Sequence, residues 1–367
     1  MGKLNRRRLR LLQKLILRTK INADLLKYSY NRWRWFWFNI EKDVTIPHPT
    51  NGMIELGNVC NLHCNICPRE YEYGKQMDIG FMPLDNAKNI LDQMIPYLDS
   101  IGLTGLGETM MYPHLLDVLK HIKKRKPSIV TTVSTNAHFN GYLNKVTPLL
   151  PYLDCIQFSV DGCDKVYEQM RPGTNFAEIT KNICQTIAIS KNTEFMINFV
   201  ISKDNYHDMR NIIKYAKKMN IMFVNFNVMS IKAMPKQTFD YYSFMKSNDF
   251  KEAVKQALEE AEIHPEMEIT GLVFNDNEQQ EEAKKDNQNN GFRTCMSMWE
   301  YPYITWDGYY VPCCGKPFPK LLNFGNVFEN DLMSVINSSK AQAFRKLWQK
   351  NVPHKFCHNC IETQNAI

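Results

Sequence analysis

Long apolar segments are missing from this 367-residue sequence. No run of eighteen apolar residues occurs, so a membrane-spanning helix is not expected. A secretory signal is not evident either, because Arg18 and Lys20 interrupt the apolar stretch near the N-terminus and no small-residue cleavage site follows. We therefore expect a cytoplasmic protein, with membrane association as an alternative that depends on the N-terminal segment.

Acidic residues are absent from residues 1–20, which carry eight Lys or Arg. Residues 4–20 predict a basic amphipathic helix, and the aromatic residues at 33–38 follow it. The favoured interpretation is a helical extension whose aromatics pack on the main domain. The alternative is peripheral membrane contact through the N-terminal helix, with tryptophans at the interface and arginines on anionic head groups. Nucleic-acid binding is not expected.

Cysteines number eleven, an odd count that argues against a fully paired disulfide framework. Without an export signal, clustered cysteines more often bind metal than form disulfides. The cysteines fall into two clusters, one near residue 60 and one in the last quarter of the chain. Cys155 and Cys184 match neither cluster and are expected to be small core residues.

Apolar strands alternate with helical patterns from about residue 53. Because strands separated by helical crossovers pair in parallel, we expect an α/β fold, a partial (β/α)6 TIM-type barrel with active-site groups at the strand C-terminal ends. The strands are predicted at 53–60, 100–107, 129–136, 155–160, 194–202 and 221–229. The domains are predicted as an N-terminal extension (1–49), a core barrel (50–232), a helical and acidic linker (233–290) and a small hairpin-containing cluster domain (291–367).

The first cysteine cluster directly follows the first predicted strand. Cys60, Cys64 and Cys67 form a CxxxCxxC loop that can present three thiolates to three irons of a [4Fe–4S] cluster. The fourth iron is left without a protein ligand, and an open coordination position is a binding site. The alternative is a structural zinc site, which needs a fourth ligand nearby. His63 could be proposed, but it lies inside the loop beside Cys64.

This loop resembles the signature of the radical S-adenosylmethionine (SAM) superfamily. The resemblance implies that the open iron binds SAM and that one electron cleaves SAM to a 5′-deoxyadenosyl radical, which abstracts a substrate hydrogen. It also implies a one-electron reductant such as a flavodoxin or ferredoxin. Such a cofactor carries the difficult chemistry, while the protein supplies orientation and exclusion of water.

The resemblance extends to the ends of the following strands. Gly105, Gly107 and Glu108 resemble the family's Gly-Gly-Glu motif in a GxGE form, with Glu108 accepting from the ammonium group of SAM. Further residues that the resemblance places near SAM are Ser134, Asn136 and Arg171, with Asp161 and Asn198 as weaker candidates. Cys163 follows the fourth strand and is a candidate hydrogen-atom donor to a substrate radical; a structural role is its alternative.

The second cysteine cluster surrounds a predicted hairpin, because Asp307-Gly308 lies between two β-prone runs. This arrangement resembles the SPASM and twitch auxiliary domains of the superfamily. The resemblance implies a second [4Fe–4S] cluster, with Cys314 as the alternative to Cys313 and a four-cysteine zinc ribbon as the alternative to the cluster. The assigned ligands are Cys295, Cys313, Cys357 and Cys360.

The resemblance therefore predicts a radical SAM oxidoreductase with a small-molecule or peptide substrate. Dehydrogenation of a sugar-like or cyclitol substrate is the leading prediction, in which the second cluster accepts an electron while a hydroxyl becomes a carbonyl. Peptide modification and epimerisation by the same radical chemistry are alternatives. A zinc-stabilised binding module at a membrane surface is the alternative from a different class.

Overall fold

The computed structural model describes residues 23–229, 241–272, 295, 297–350, 352 and 354–357. Within this part of the chain one sheet has nine strands in the order β7-β6-β5-β4-β3-β2-β1-β8-β9. Every pairing is parallel except that between β8 and β9. The strands are β1 (Asn51–Ile54), β2 (Ser100–Gly102), β3 (Val130–Thr135), β4 (Cys155–Ser159), β5 (Glu194–Ile201), β6 (Phe223–Val228), β7 (Glu268–Thr270), β8 (Tyr303–Ile304) and β9 (Tyr310–Val311).

Helices lie between consecutive strands from β1 to β8, with one further helix before β1 and two after β9. They are α1 (Ala23–Trp37), α2 (Leu84–Met94), α3 (Leu115–Arg125), α4 (Tyr142–Val146), α5 (Asp164–Met170), α6 (Phe176–Ile189), α7 (Met209–Lys218), α8 (Tyr241–Lys246), α9 (Asn248–Ile263), α10 (Ser297–Glu300), α11 (Leu332–Ile336) and α12 (Ser339–Gln349). The alternation of strand and helix confirms the predicted α/β partial barrel. Strand β7, which has only three residues, was not among the predicted strands.

Apolar and polar residues alternate along the strands, and the helices cover the apolar face of the sheet. On β4, Ile156 and Phe158 belong to the hydrophobic core, whereas Gln157 between them does not. Ile183 of α6 and Ile212 of α7 are fully buried in the same core. The helix-covered face is therefore apolar, and the opposite, inner face of the sheet carries the polar residues of each strand.

Two of the three cysteines outside the clusters, Cys155 and Cys184, differ in their burial. Cys155 at the start of β4 is buried, as predicted. Cys184 on α6 is exposed, so its prediction as a core residue is wrong. The neighbouring Ile183 faces the core, and the next residue of a helix points about 100° away from it.

Strand β1 is shorter than the sequence predicts, since it ends at Ile54 rather than near residue 60. After Ile54 the chain runs alongside residues 80–82 and bonds to them. The Met82 N–H donates to the Leu56 carbonyl at 2.8 Å. Gly57 forms an isolated antiparallel bridge with Phe81. The apolar run thus continues past the strand because these residues pack against a second segment.

The C-terminal hairpin is part of the same sheet. Strands β8 and β9 flank the Asp307-Gly308 turn, where Gly308 has a φ of +88°, which confirms the predicted hairpin. Strand β8 pairs in parallel with β1, with Met53 opposite Tyr303. The hairpin therefore lies beside the strand that leads into the first cysteine cluster.

Helix α1 packs at the N-terminal ends of the barrel strands. Tyr28 donates to Asp99, one residue before β2, at 2.6 Å, and Asn31 donates to the carbonyl of His48, before β1, at 2.8 Å. The helix predicted over 4–20 lies outside the described residues. No described helix is both long enough and apolar enough to cross a bilayer.

Candidate active site

The first cysteine loop occupies the C-terminal end of β1. Cys64 is buried, and Cys60 and Cys67 are half-buried. Burial raises the pKa of all three thiols, that of Cys67 to about 12. Backbone N–H groups donate to two of the sulfurs, from Leu62 to Cys60 at 3.5 Å and from Arg69 to Cys67. Metal binding overcomes such raised pKa values, because the metal's charge stabilises the thiolate.

Two arginines bring positive charge to this loop. Arg171, at the end of α5, places Nη1 at 3.7 Å from the Cys64 sulfur, while its Nε donates to Asp161 at 2.9 Å. Arg69 lies close enough to Cys60 and Cys67 to lower the pKa of both thiols, against the larger effect of burial. Its Nε and Nη1 are buried and have no hydrogen-bond partner among the described residues. Three thiols and an unsatisfied guanidinium fit an anionic iron–sulfur group at this loop.

The glycines of the GxGE segment allow it to pack against the cysteine loop. A Cβ at Gly105 would lie 2.2 Å from the side chain of Glu55, and one at Gly107 would lie 2.6 Å from the carbonyl oxygens of Gly57 and Val59. The Glu108 N–H donates to the Val59 carbonyl at 2.9 Å. Only glycine permits this contact at both positions, which explains the spacing of the motif.

Glu108 is buried and connects two loops at this end of the sheet. One carboxylate oxygen accepts from the Met110 N–H at 3.1 Å, and the other accepts from the Asn136 N–H at 2.7 Å. Burial raises the pKa of Glu108, and these hydrogen bonds oppose the rise. Asn136 in turn donates from Nδ2 to the Asn61 side chain in the cysteine loop, at 3.0 Å. A carboxylate retains acceptor capacity beyond these bonds, so a role toward an ammonium group stays a prediction.

Glu55, which the sequence did not single out, is fully buried between the two cysteine-bearing regions. Its carboxylate accepts from the Leu106 N–H at 2.7 Å, the Tyr303 hydroxyl at 3.2 Å and the Trp306 N–H at 3.3 Å. Burial raises its pKa, and the hydrogen bonds oppose the rise. Glu55 also borders a pocket between residues 73–78 and the C-terminal region. Through these hydrogen bonds, Glu55 joins the GxGE segment to the hairpin of β8 and β9.

A continuous row of neutral polar side chains crosses the inner face of the sheet; we call it the inner polar row. Its consecutive hydrogen-bonded distances are 3.4, 2.9, 2.9, 3.1 and 2.7 Å. Every member is half-buried, so the row borders space that solvent can enter. Its members are Thr104, Ser134, Gln157, Asn198, Asn225 and Thr270.

Sequence reasoning singled out only Ser134 and Asn198 from this row. Gln157, Asn198 and Asn225 each lie between two apolar residues of a predicted strand. That pattern is the signal that could have identified the row, because alternate residues of a strand share one face.

Cys163 occupies a different environment from the other candidates. Its side chain packs against the hydrophobic core. Burial raises the pKa of the Cys163 thiol to about 12, and the charges of Asp208 and Asp164 add to the rise. These surroundings favour the structural alternative, and the hydrogen-donor role stays a prediction.

The second cysteine cluster is partly described. Cys295, Cys313 and Cys357 are half-buried, Cys314 is exposed, and Cys360 lies outside the described residues. Lys316 donates to the Phe356 carbonyl at 3.3 Å, which brings the Cys313 turn close to the residue before Cys357. The Gly315 N–H also donates to the Cys313 sulfur at 3.3 Å. Burial and this hydrogen bond favour Cys313 over Cys314 as a ligand.

Comparison with known families agrees with both cysteine regions. Residues 54–216 match the radical SAM superfamily, and residues 295–361 match the SPASM iron–sulfur cluster-binding domain. The chain belongs to the radical SAM superfamily and carries a SPASM domain. The radical SAM match begins at Ile54, the last residue of β1, and the SPASM match includes all five C-terminal cysteines.

A curated relative and several solved structures resemble nearly the whole chain. The tungsten-containing aldehyde ferredoxin oxidoreductase cofactor-modifying protein of Pyrococcus furiosus is 23% identical over 332 residues, which cover 84% of this chain and 86% of the relative. SuiB of Streptococcus suis, bound to precursor peptide SuiA, has a TM-score of 0.63 at 17% identity and covers 82% of this chain and 67% of SuiB. Tagged anSMEcpe with bound AdoMet has a TM-score of 0.60 at 16% identity and covers 85% and 83%. These structures share the fold.

Membership in these families implies a [4Fe–4S] cluster with SAM in the radical SAM core and auxiliary iron–sulfur binding in the SPASM domain. The zinc-stabilised binding module is therefore set aside. Among the described residues, no three His, Cys, Asp or Glu side chains form a group that could hold a single metal ion. A cluster demands a different geometry, since each thiolate binds a different iron atom.

Proposed function

We propose that this radical SAM enzyme oxidises a neutral, hydroxyl-bearing substrate, of sugar-like or cyclitol type, on the inner face of the barrel. The inner polar row is the observation that carries the proposal. All six of its side chains are neutral, and each can donate or accept a hydrogen bond. Hydroxyl groups are matched by such a surface, whereas a charged substrate needs an opposite charge to compensate its desolvation.

The core loops would hold the cofactors. Cys60, Cys64 and Cys67 would bind the first cluster, with Gly105, Gly107 and Glu108 beside SAM, and Cys295, Cys313, Cys357 and Cys360 would bind the second cluster. When bound, the first cluster and SAM would supply a 5′-deoxyadenosyl radical for abstraction of a substrate hydrogen atom, and the second cluster would supply a one-electron acceptor. Conversion of a hydroxyl to a carbonyl removes two electrons and two protons. One hydrogen atom would go to the 5′-deoxyadenosyl radical, one electron to the second cluster and the remaining proton to solvent at the inner polar row. A flavodoxin- or ferredoxin-type reductant is proposed for the initial electron.

The protein's own groups have defined tasks in this proposal. The inner polar row orients the substrate hydroxyls, and the buried carboxylate of Glu108 fixes the two loops that border SAM. The Arg171 guanidinium lies beside Cys64 and donates hydrogen bonds to Asp161. A contact between Arg171 and the SAM carboxylate remains a proposal. The buried core under the row excludes water from the helix-covered side of the sheet.

Peptide modification is the second candidate, and the comparisons favour it. SuiB was solved with a precursor peptide, and anSMEcpe was solved with Cp18Cys peptide. Peptide amides are neutral and would also hydrogen-bond to Asn and Gln side chains. The inner polar row is therefore compatible with either substrate class.

Isotope transfer distinguishes the candidates. Reconstituted enzyme is incubated anaerobically with SAM, a reductant and either deuterated sugars and cyclitols or deuterated peptides. The proposal expects deuterium in 5′-deoxyadenosine from a sugar or cyclitol, together with a carbonyl product. Deuterium transfer from peptides alone would establish the second candidate instead, and absence of 5′-deoxyadenosine with every substrate would contradict both.

The inner polar row is tested with Gln157→Leu. The Gln157 oxygen accepts from both Ser134 and Asn198, so leucine interrupts the row at its centre. We expect the KM for the identified substrate to rise about tenfold or more, while SAM cleavage without substrate is retained. The exposed Gln185→Leu on α6 is the matched control. Equal KM values for the two variants would remove the row from substrate binding.

A further inference from the structure

The apolar stripe of helix α1 faces solvent. Leu26, Tyr30, Trp33 and Trp37 follow the i, i+4, i+7, i+11 spacing of one helix face, and their exposed fractions are 74, 63, 57 and 66%. Phe36 beside them is 77% exposed. We call these five residues the outer aromatic stripe. A stripe with this spacing normally packs against a protein core, so its exposure is an unusual feature that requires explanation.

The opposite side of α1 is fixed to the barrel, largely through polar contacts. Asn31 is 1% exposed and exchanges two hydrogen bonds with the backbone of His48, at 2.8 and 3.1 Å. Trp35 donates from Nε1 to the same His48 carbonyl at 2.8 Å, and Tyr28 donates to Asp99. The helix therefore cannot turn its outer aromatic stripe inward without breaking these bonds. Of the aromatics predicted to pack on the domain, Trp35 and Phe38 do so, whereas Trp33, Phe36 and Trp37 are exposed.

The stripe and the cysteine loop lie at opposite ends of the barrel strands. The residues that hold α1, His48 and Asp99, precede β1 and β2, whereas Cys60 and Glu108 follow the same strands. A surface bound to the stripe would therefore leave the substrate end of the barrel open. This position suits attachment and does not suit a lid over the active site.

Charge and composition indicate what binds to the outer aromatic stripe. Tryptophan and tyrosine favour the boundary between lipid head groups and acyl chains. Residues 1–20, directly before the helix, carry eight Lys or Arg and no acid. A second copy of this chain would carry the same formal net charge of +7, and repulsion between like charges opposes self-association. We propose that the outer aromatic stripe docks on an anionic lipid bilayer surface.

Vesicle flotation tests the proposal with the full-length, cluster-loaded protein. The vesicles are phosphatidylcholine alone or phosphatidylcholine with phosphatidylglycerol. We expect wild type to float with the anionic vesicles and the W33S/F36S/W37S variant to bind them at least about tenfold more weakly. The matched control is L258S/I263S, which removes two exposed apolar side chains of α9 and should bind like wild type.

Three results would overturn the proposal. They are failure of wild type to float with either vesicle, equal flotation of the W33S/F36S/W37S variant and wild type, and equal binding of wild type to neutral and anionic vesicles. A dimer of wild type in sedimentation velocity that is lost in the triple variant would assign the stripe to self-association instead. Iron content and SAM cleavage of the triple variant should match wild type, which shows that the variant is folded.

Discussion

The Glu55 carboxylate and the Tyr303 hydroxyl are hydrogen-bonded at 3.2 Å although 248 positions separate them in the chain. The contact joins the strand that leads into the first cysteine loop to the SPASM hairpin. The same carboxylate accepts from Leu106 in the GxGE segment. One buried acid therefore contacts both the GxGE segment and the hairpin of the SPASM domain.

Gly105→Ala tests the close packing of the GxGE segment. A Cβ at this position would lie 2.2 Å from the Glu55 side chain, which is itself held by three hydrogen bonds. We expect a loss of about 1–3 kcal/mol in the free energy of unfolding and weaker SAM binding. Thermal unfolding and equilibrium dialysis with SAM measure the two effects.

Gly102→Ala is the matched control, three residues earlier on β2. Its Cβ would meet no atom closer than 3.7 Å. We expect this variant to stay within about 1 kcal/mol of wild type and to bind SAM normally. Equal behaviour of the two alanine variants would show that Glu55 does not constrain the segment.

The parts of this fold that depend on local sequence were predicted well. Cys60, Cys64 and Cys67 were predicted to follow the first strand, and they do, although β1 ends at Ile54 rather than near residue 60. The Asp307-Gly308 turn was also predicted, since both residues favour a tight hairpin. Each of these features needs only a few neighbouring residues to specify it.

The missed features depend on residues that are distant in the chain. No local pattern shows that β8 pairs with β1. The hydrogen bond between Glu55 and Tyr303 depends on that pairing, so it could not be predicted either. The direction of the outer aromatic stripe was also missed, because the spacing of apolar residues defines a helix face but not what that face contacts.

Cys313→Ser and Cys314→Ser test which cysteine binds the auxiliary cluster. Cys313 is half-buried and its sulfur accepts from Gly315, whereas Cys314 is exposed. We expect Cys313→Ser to lose the iron of one cluster and the corresponding signal in electron paramagnetic resonance of the reduced protein. Cys314→Ser should retain both. A reversed result would make Cys314 the ligand.

The buried pair of Arg171 and Asp161 gives a prediction about stability. Asp161 is fully buried, and Arg171 is 8% exposed. Arg171→Met leaves the Asp161 charge without its partner, which should cost about 3–5 kcal/mol. Adding Asp161→Asn to Arg171→Met should recover part of that loss, because the unpaired charge is removed. Chemical denaturation of the single and double variants measures the coupling.

The exposed pair of Lys320 and Asp78 is the control for the Arg171 and Asp161 variants. Their side chains are 60 and 72% exposed at a separation of 3.0 Å, so Lys320→Met should change stability little. A similar loss for Lys320→Met and Arg171→Met would mean that burial of the Arg171 pair has no energetic consequence.

The raised pKa of Glu55 predicts how stability depends on pH. Burial raises the folded-state pKa above the ordinary value of 4.5, so the protonated acid is favoured in the folded protein relative to the unfolded chain. This contribution to the free energy of unfolding is fully present below pH 4.5 and is lost as the pH rises through the pKa of Glu55 in the folded protein. Glu55→Gln cannot ionise and should lack this dependence. The stability of wild type relative to Glu55→Gln should therefore fall with rising pH, which thermal unfolding across a pH series measures. The exposed Glu329→Gln should follow wild type throughout, and a constant difference between wild type and Glu55→Gln would contradict the shift.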